Sequence, residues 1–208
     1  MAEIQYIRFN YPFHPITSDY FVRVFRMIHD SEQPIIPIEV NSFGGYVSAL
    51  AEILDCIDTS EKPIMTVATG VVASCGAALA MSGSDGLRFI GPNTEFMIHQ
   101  PSGCAWGKAA DVESESKLLN QMADKFVYDK CDKAAKRKSG YTKGLIKDNF
   151  NADLSFFGED AVKMGFFNEV GGINKLKNMD DLLLKWKQAN IETEPKEDPE
   201  TYPNEEVS

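Results

Sequence analysis

From the N-terminus to about residue 82, short apolar runs alternate with segments of helical period, and no other feature narrows the choice of fold as far. IQYIRF (4–9), IIPIEV (35–40) and PIMTVAT (63–69) are rich in the β-branched and aromatic residues that strands favour. Between them, 17–30, 46–58 and an apolar stretch from about 73 repeat at the helical period. Segment 46–58 puts Val47, Leu50, Ile53, Leu54 and Ile57 on one side and Ser48, Glu52, Asp55 and Asp58 on the other. Strands alternating with one-sided helices predict an α/β fold in which helices cover a sheet. Pro37 cannot donate to a ladder, so IIPIEV is a strand only where that position needs no donor.

Further along, LRFI (87–90) and EFMIH (95–99) read as two extended pieces joined by a turn containing Gly91, Pro92 and Asn93. From about 108 to 138 the chain is charged and free of proline, which predicts a helix of about eight turns that projects from the body or packs on another subunit. A helix over 142–149, a helix and strand over 158–170 and a short amphipathic helix over 179–188 complete the expected domain, 1–189. Residues 190–208 hold three prolines and seven acids (Glu192, Glu194, Glu197, Asp198, Glu200, Glu205, Glu206) against Lys196, the composition of a disordered tail.

More than half of the net charge of −10 sits in that tail. An acidic body with an acidic tail repels phosphate backbones, which argues against a nucleic-acid partner. The basic run Lys133, Lys136, Arg137, Lys138 is then read as solvating a helix end and complementing its dipole. The start MAEIQYIRFNYPFHPITSD lacks the basic and apolar regions of a secretory signal, and no 18 uncharged apolar residues occur together, so a cytoplasmic chain without a membrane segment is expected. Cys56, Cys75, Cys104 and Cys131 form no CxxC pair and are read as free thiols, with no metal site and no cofactor.

Three short segments carry chemistry. In VATGVVASCGAALAMSG (67–83) an apolar strand runs through small residues into a helix with Ser74 near its start, at the positive end of the helix dipole. The Cys75 amide there can face an oxyanion, although serines that simply cap a helix are far commoner than nucleophiles. NSFGG (41–45) puts paired glycines between a strand and a helix, either as an ordinary turn or as a second N–H donor from Gly44 or Gly45. MIHQP (97–101) ends a short strand on His99, and strand ends are where α/β sheets present site residues. His14, between two prolines, and His29, late in a helix, are the weaker candidates for a base.

The order NSFGG, then ASCG with Ser74 29 residues after Gly45, then MIHQP with His99 25 residues after Ser74, resembles the ClpP family of serine peptidases. DLSFFGEDAVKMGFFNEV (153–170) is similar to that family's third motif and puts Asp153 at its aspartate, with Asp148 aligning less well. The resemblance spans roughly residues 4–176. It implies a ClpP/crotonase-like stack of ββα units with a protruding handle helix. It also implies a serine endopeptidase with Ser74 as nucleophile, His99 as base, Asp153 as orienting carboxylate, and an oxyanion hole from Gly44 or Gly45 with Cys75. PSGCAWGKAAD (101–111) resembles the substrate-pairing segment, so Gly103, Cys104 and Trp106 are expected to bind peptide, Trp106 equally fitting a ring interface. Peptide or unfolded-protein substrates, heptameric rings meeting through their handles as a tetradecamer, and an AAA+ ATPase partner follow from the same resemblance.

The sequence departs from the family at Phe43, usually proline, and at Cys75, usually methionine. It also begins almost at its first strand, where typical members carry residues that form axial loops and help dock the ATPase. Competing readings are a Ser/Lys hydrolase of the signal-peptide-peptidase kind, because GVVASCGA resembles that nucleophile turn, a catalytically silent ring subunit, and a crotonase-like acyl-CoA binder.

Overall fold

The computed structural model describes residues 4–103, 106–135 and 153–191, and the apolar runs of the first half lie side by side in one sheet. β1 (Ile7–Phe9), β2 (Ile36–Ser42), β3 (Ile64–Ala73), β4 (Arg88–Ile90) and β7 (Glu169–Val170) follow one another in that order, all parallel. β5 (Glu95–Ile98) adds to β3 in parallel, and β6 (Leu154–Phe157) pairs antiparallel with β5. The mixed α/β fold with a parallel sheet is the ClpP-like architecture expected from the sequence.

Helices α1 (Pro15–His29), α2 (Val47–Asp58) and α3 (Cys75–Met81) cover one face. Phe21, Phe25, Leu50, Ile53 and Leu79 meet Ile36, Ile38, Val40 and Ala68 there in the main core. Alternate residues Met65, Val67 and Phe89 face the other way and meet Leu182 of α7 (Met179–Ile191), as the period of two in a strand requires. α6 (Gly158–Lys163) leads into β7. The predicted 142–149 helix and the acidic tail beyond 191 lie outside the described residues.

Pro37 sits inside β2. Ile36 N–H donates to the Pro63 carbonyl on the β3 side, so the nitrogen of Pro37 faces β1, whose ladder begins one residue later at Ile38. The missing donor is therefore not needed. α1 starts at Pro15, two residues before the expected boundary, because His14 caps it: the His14 ring accepts from Ile16 N–H, and Thr17 Oγ1 accepts from His14 N–H.

Two expectations need correction. β3 does not stop at 69 but runs to Ala73, and the helix after it begins only at Cys75. At Gly70, with φ +64°, the strand bends over the Asn41 side chain, whose oxygen accepts from Val71 N–H (3.2 Å). There β3 exchanges β4 for β5 as its neighbour. The long helix is also not one uniform projecting rod. α4 (Ala109–Ala123) buries only Ala123, whereas a π-helical turn (Asp124–Tyr128) and α5 (Asp129–Ala135) pack on the body through Tyr128, Cys131, Ala134 and Ala135.

Polar anchors hold the base of this arm. Arg88, buried, donates to the carbonyls of Phe166 (3.1 Å), Gly83 (3.1 Å) and Ala134 (3.1 Å) and to Asp85 Oδ1 (2.9 Å). Lys130 reaches Asp58 at the end of α2 (3.2 Å). Cys56, Cys75 and Cys131 are free thiols, and no helix among the described residues is long and apolar enough to cross a membrane.

Candidate active site

Strand register brings the three chemical segments to one end of the sheet. Ala73 pairs with Met97, and Ser74 N–H donates to the Met97 carbonyl (3.0 Å), so Ser74 and His99 leave adjacent strands one residue apart in register. Ile98 pairs with Leu154 on β6, which puts Asp153 across from His99. His99 Nδ1 lies 4.0 Å from Asp153 Oδ1, within ion-pair range and longer than a hydrogen bond. The His99 side chain is 27% exposed and that of Asp153 70%.

Ser74 occupies the N-cap place of α3, yet its side chain makes no capping bond. Its backbone is left-handed, φ 55° and ψ −121°, the only non-glycine residue with positive φ among those described. Such a conformation costs on the order of 1–3 kcal/mol and is tolerated where the surroundings impose it. The sharp strand-to-helix turn keeps the side chain out of the capping role and is the kind of turn on which hydrolase nucleophiles are presented.

Gly44 supplies one part of that imposed geometry. At φ +103° it approaches Ser74 so closely that a Cβ would stand 2.7 Å from Ser74 Cβ and 3.0 Å from Oγ. Its carbonyl accepts from Phe13 N–H (2.9 Å), and its own N–H is given to Ser42 Oγ (3.2 Å), which in turn donates to the Tyr11 carbonyl (2.6 Å). Tyr46 N–H closes the turn on the Phe13 carbonyl (2.9 Å). Neither the Gly45 N–H nor the Cys75 N–H, at the first position of α3, is given to a backbone carbonyl among the described residues, and both lie beside the Cys75 thiol. The Cys75 thiol donates to the Gly45 carbonyl, S···O 3.4 Å, tying the glycine turn to α3. Burial pushes that thiol up from its ordinary range, which keeps it a proton donor at neutral pH.

Beside Ser74, Cys75 and His99 opens a cavity of ≈ 20 Å³. Larger hollows, one of ≈ 330 Å³ near Gln5 and Gln33 and one of ≈ 380 Å³ between α1 and α2, lie away from these groups. The small cavity is the relevant one because Ser74 and His99 both line it.

Of the residues singled out in the sequence, Ser74, Cys75, His99, Asp153, Gly44 and Gly45 come together. Gly103 lies apart, against Leu119 and Glu115 of α4, Trp106 is 99% exposed just before that helix, and Cys104 falls outside the described residues. The sequence reading missed Phe126 and Val127, which close the cavity from the arm, and Ser42, which takes the Gly44 N–H. DKFVYDK carries no local signal of such a role, since its place at the site depends on how the arm folds back. A family model described as Clp protease matches residues 16–174, well over half of the chain. On that match the chain belongs to the Clp protease family, as a ClpP-like peptidase.

Proposed function

We propose that the chain hydrolyses peptide bonds by serine acyl transfer, with Ser74 as nucleophile, His99 as general base, Asp153 as the carboxylate that orients it, and ring-shaped assemblies of copies as the working form. The observation that supports this is the left-handed backbone at Ser74, at the end of β3 next to the end of β5, where His99 stands between it and Asp153 of the β6 side. A cap alone needs no such backbone, and this serine caps nothing.

In the proposed cycle the Ser74 proton passes to His99 as an Oγ–C bond forms to the peptide carbonyl. The carbonyl electron pair moves onto oxygen, where the N–H groups of Gly45 and Cys75 receive it. Gly45 is preferred to Gly44 because the Gly44 N–H is already given to Ser42 Oγ. Collapse breaks the C–N bond, and the imidazolium hands its proton to the departing amine. Water then attacks the acyl ester through the same base, releasing the acid and restoring the serine. The separation of 4.0 Å between His99 and Asp153 shortens to a hydrogen bond in the substrate complex, as catalytic bonds that are long in the free state commonly do.

The test is intact mass after treatment with a fluorophosphonate, with the modified residue mapped. A single adduct on Ser74, lost in His99→Ala, and peptide hydrolysis abolished in Ser74→Ala are the expected results. Hydrolysis by Ser74→Ala near the wild-type rate, or an assembled protein that takes no adduct, would overturn the proposal, the latter in favour of a silent ring subunit.

A further inference from the structure

We infer that the cavity beside Ser74 restricts cleavage to bonds that follow a small residue, alanine in size, and that Phe126 sets this limit; the inference rests on the acyl-transfer reading above. The cavity borders Ser74, Cys75 and His99, so the group that enters it is the side chain on the residue whose carbonyl Ser74 attacks. Its free volume is ≈ 20 Å³, and on that measure roughly 10–15 Å³ holds one water. A methyl group fits, whereas an isobutyl or benzyl group does not. The wall is apolar, from Val47, Leu50 and Ala78 on the body and Phe126 and Val127 on the arm. A charged or amide side chain would lose its hydration there without gaining a partner.

Phe126 and Val127 are consecutive, and an α-helix would turn their side chains about 100° apart. They lie in the π-helical turn between α4 and α5, and both reach the one cavity. Turns of this kind are concentrated at functional sites. The turn is held from both sides of the arm's base: Tyr128 is buried beside it, Lys130 is bonded to Asp58, and Arg88 fastens the end of α5. The opposite wall comes from α2 and α3, both packed in the main core.

The assembled full-length protein is tested on peptides that differ only in the residue before the cleaved bond: Ala, Val, Leu or Phe. The expected kcat/KM is at least ten-fold higher for Ala than for Leu or Phe, in line with the roughly 10–200-fold that one methylene commands in an apolar pocket. Phe126→Ala should raise the ratio of kcat/KM for Leu to that for Ala at least ten-fold, and Val127→Ala, a second variant in case the first does not fold, should move the ratio the same way. Fluorophosphonate labelling of Ser74, which does not depend on filling the cavity with a side chain, is measured on each protein. Normal labelling with wild-type cleavage after Leu or Phe as fast as after Ala overturns the size limit and leaves acyl transfer standing. A wild-type preference for Ala that Phe126→Ala and Val127→Ala, folded and labelled, leave unchanged overturns the role of the arm. Absence of labelling overturns the underlying reading itself.

Discussion

Cys75 contributes two different groups to the neighbourhood of Ser74, and they separate cleanly by mutation. Its backbone N–H is retained in any non-proline substitution, whereas its thiol bond to the Gly45 carbonyl is lost in Cys75→Ala. A net hydrogen bond is worth about 0.5–1.5 kcal/mol, so loosening the Gly45 turn should lower kcat about 2- to 10-fold with little change in KM. Cys75→Ser keeps a donor of similar reach and should restore most of the loss. Steady-state kinetics on one peptide decide it: an alanine variant equal to wild type, or a serine variant no better than alanine, would remove the thiol from the account. Removing an oxyanion donor outright costs about 10²–10³, and the tether should therefore fall well below that. The same residues show what was legible in the sequence. Ser74, His99 and the paired glycines sit in short motifs whose residue types advertise their chemistry. That Gly44 spends its N–H on Ser42 while Gly45 does not depends on a turn pinned by Phe13, far away in the chain.

Among the elements, β3 does most to build the site, and its full length was hidden for a physical reason. Gly70 and the small residues up to Ala73 look like the entry to a helix, and only the presence of β5 as a second partner makes them strand. The first-half strands and helices were readable because each carries its own period. The division of the long arm into a free helix and a packed base was not, because its charged residues mask the few apolar ones that bind the body. α7 offers a prediction at this scale. Lys185 of α7 and Lys175 of the 3₁₀ turn before it (Ile173–Lys177) both pair with Glu169 on β7, and Lys185 also lies over the Phe89 ring, so the ion pairs fasten this C-terminal segment to the sheet edge. The two ammonium groups hold the Glu169 carboxyl below its usual range. A carboxyl lowered on folding stabilises above its unfolded value, about 4.3, and that contribution is lost as pH falls through its folded value. Glu169 is 39% exposed, which limits the pair to about 1 kcal/mol or less. Glu169→Gln should therefore lower Tm by about 1–4 °C at pH 7, with the difference shrinking below about pH 4. A difference that grows on acidification would contradict the clamp.

At the scale of the whole molecule, the arm and its approach expose more apolar surface than an isolated subunit has reason to carry. α4 extends through fifteen residues and buries one of them. Val112 and Leu118 on it are more than 40% exposed, and Trp106 at its start stands almost fully in solvent. Scattered apolar side chains need no explanation, but an exposed tryptophan leading into a helix that buries one residue is a surface that the proposed assembly would cover. The proposed ring assembly would supply the cover, with the arms of facing rings lying against one another and burying what each leaves open. Native mass spectrometry should then find the wild-type chain as a ring or double ring. Leu118→Glu places a charge where that contact would be dry, and it should split the assembly into single rings or smaller species. Because Leu118 lies outside the buried core of the subunit, its replacement should alter the stability of the folded chain by no more than about 0.5 kcal/mol. A fall in mass with an unchanged far-ultraviolet spectrum is the expected outcome. A wild-type protein that stays monomeric at micromolar concentration would contradict the ring, and an assembly indifferent to Leu118→Glu would move the contact off this face of the arm. Peptidase activity measured on the same samples links the two scales, because the base of the same arm brings Phe126 and Val127 to the cavity beside Ser74.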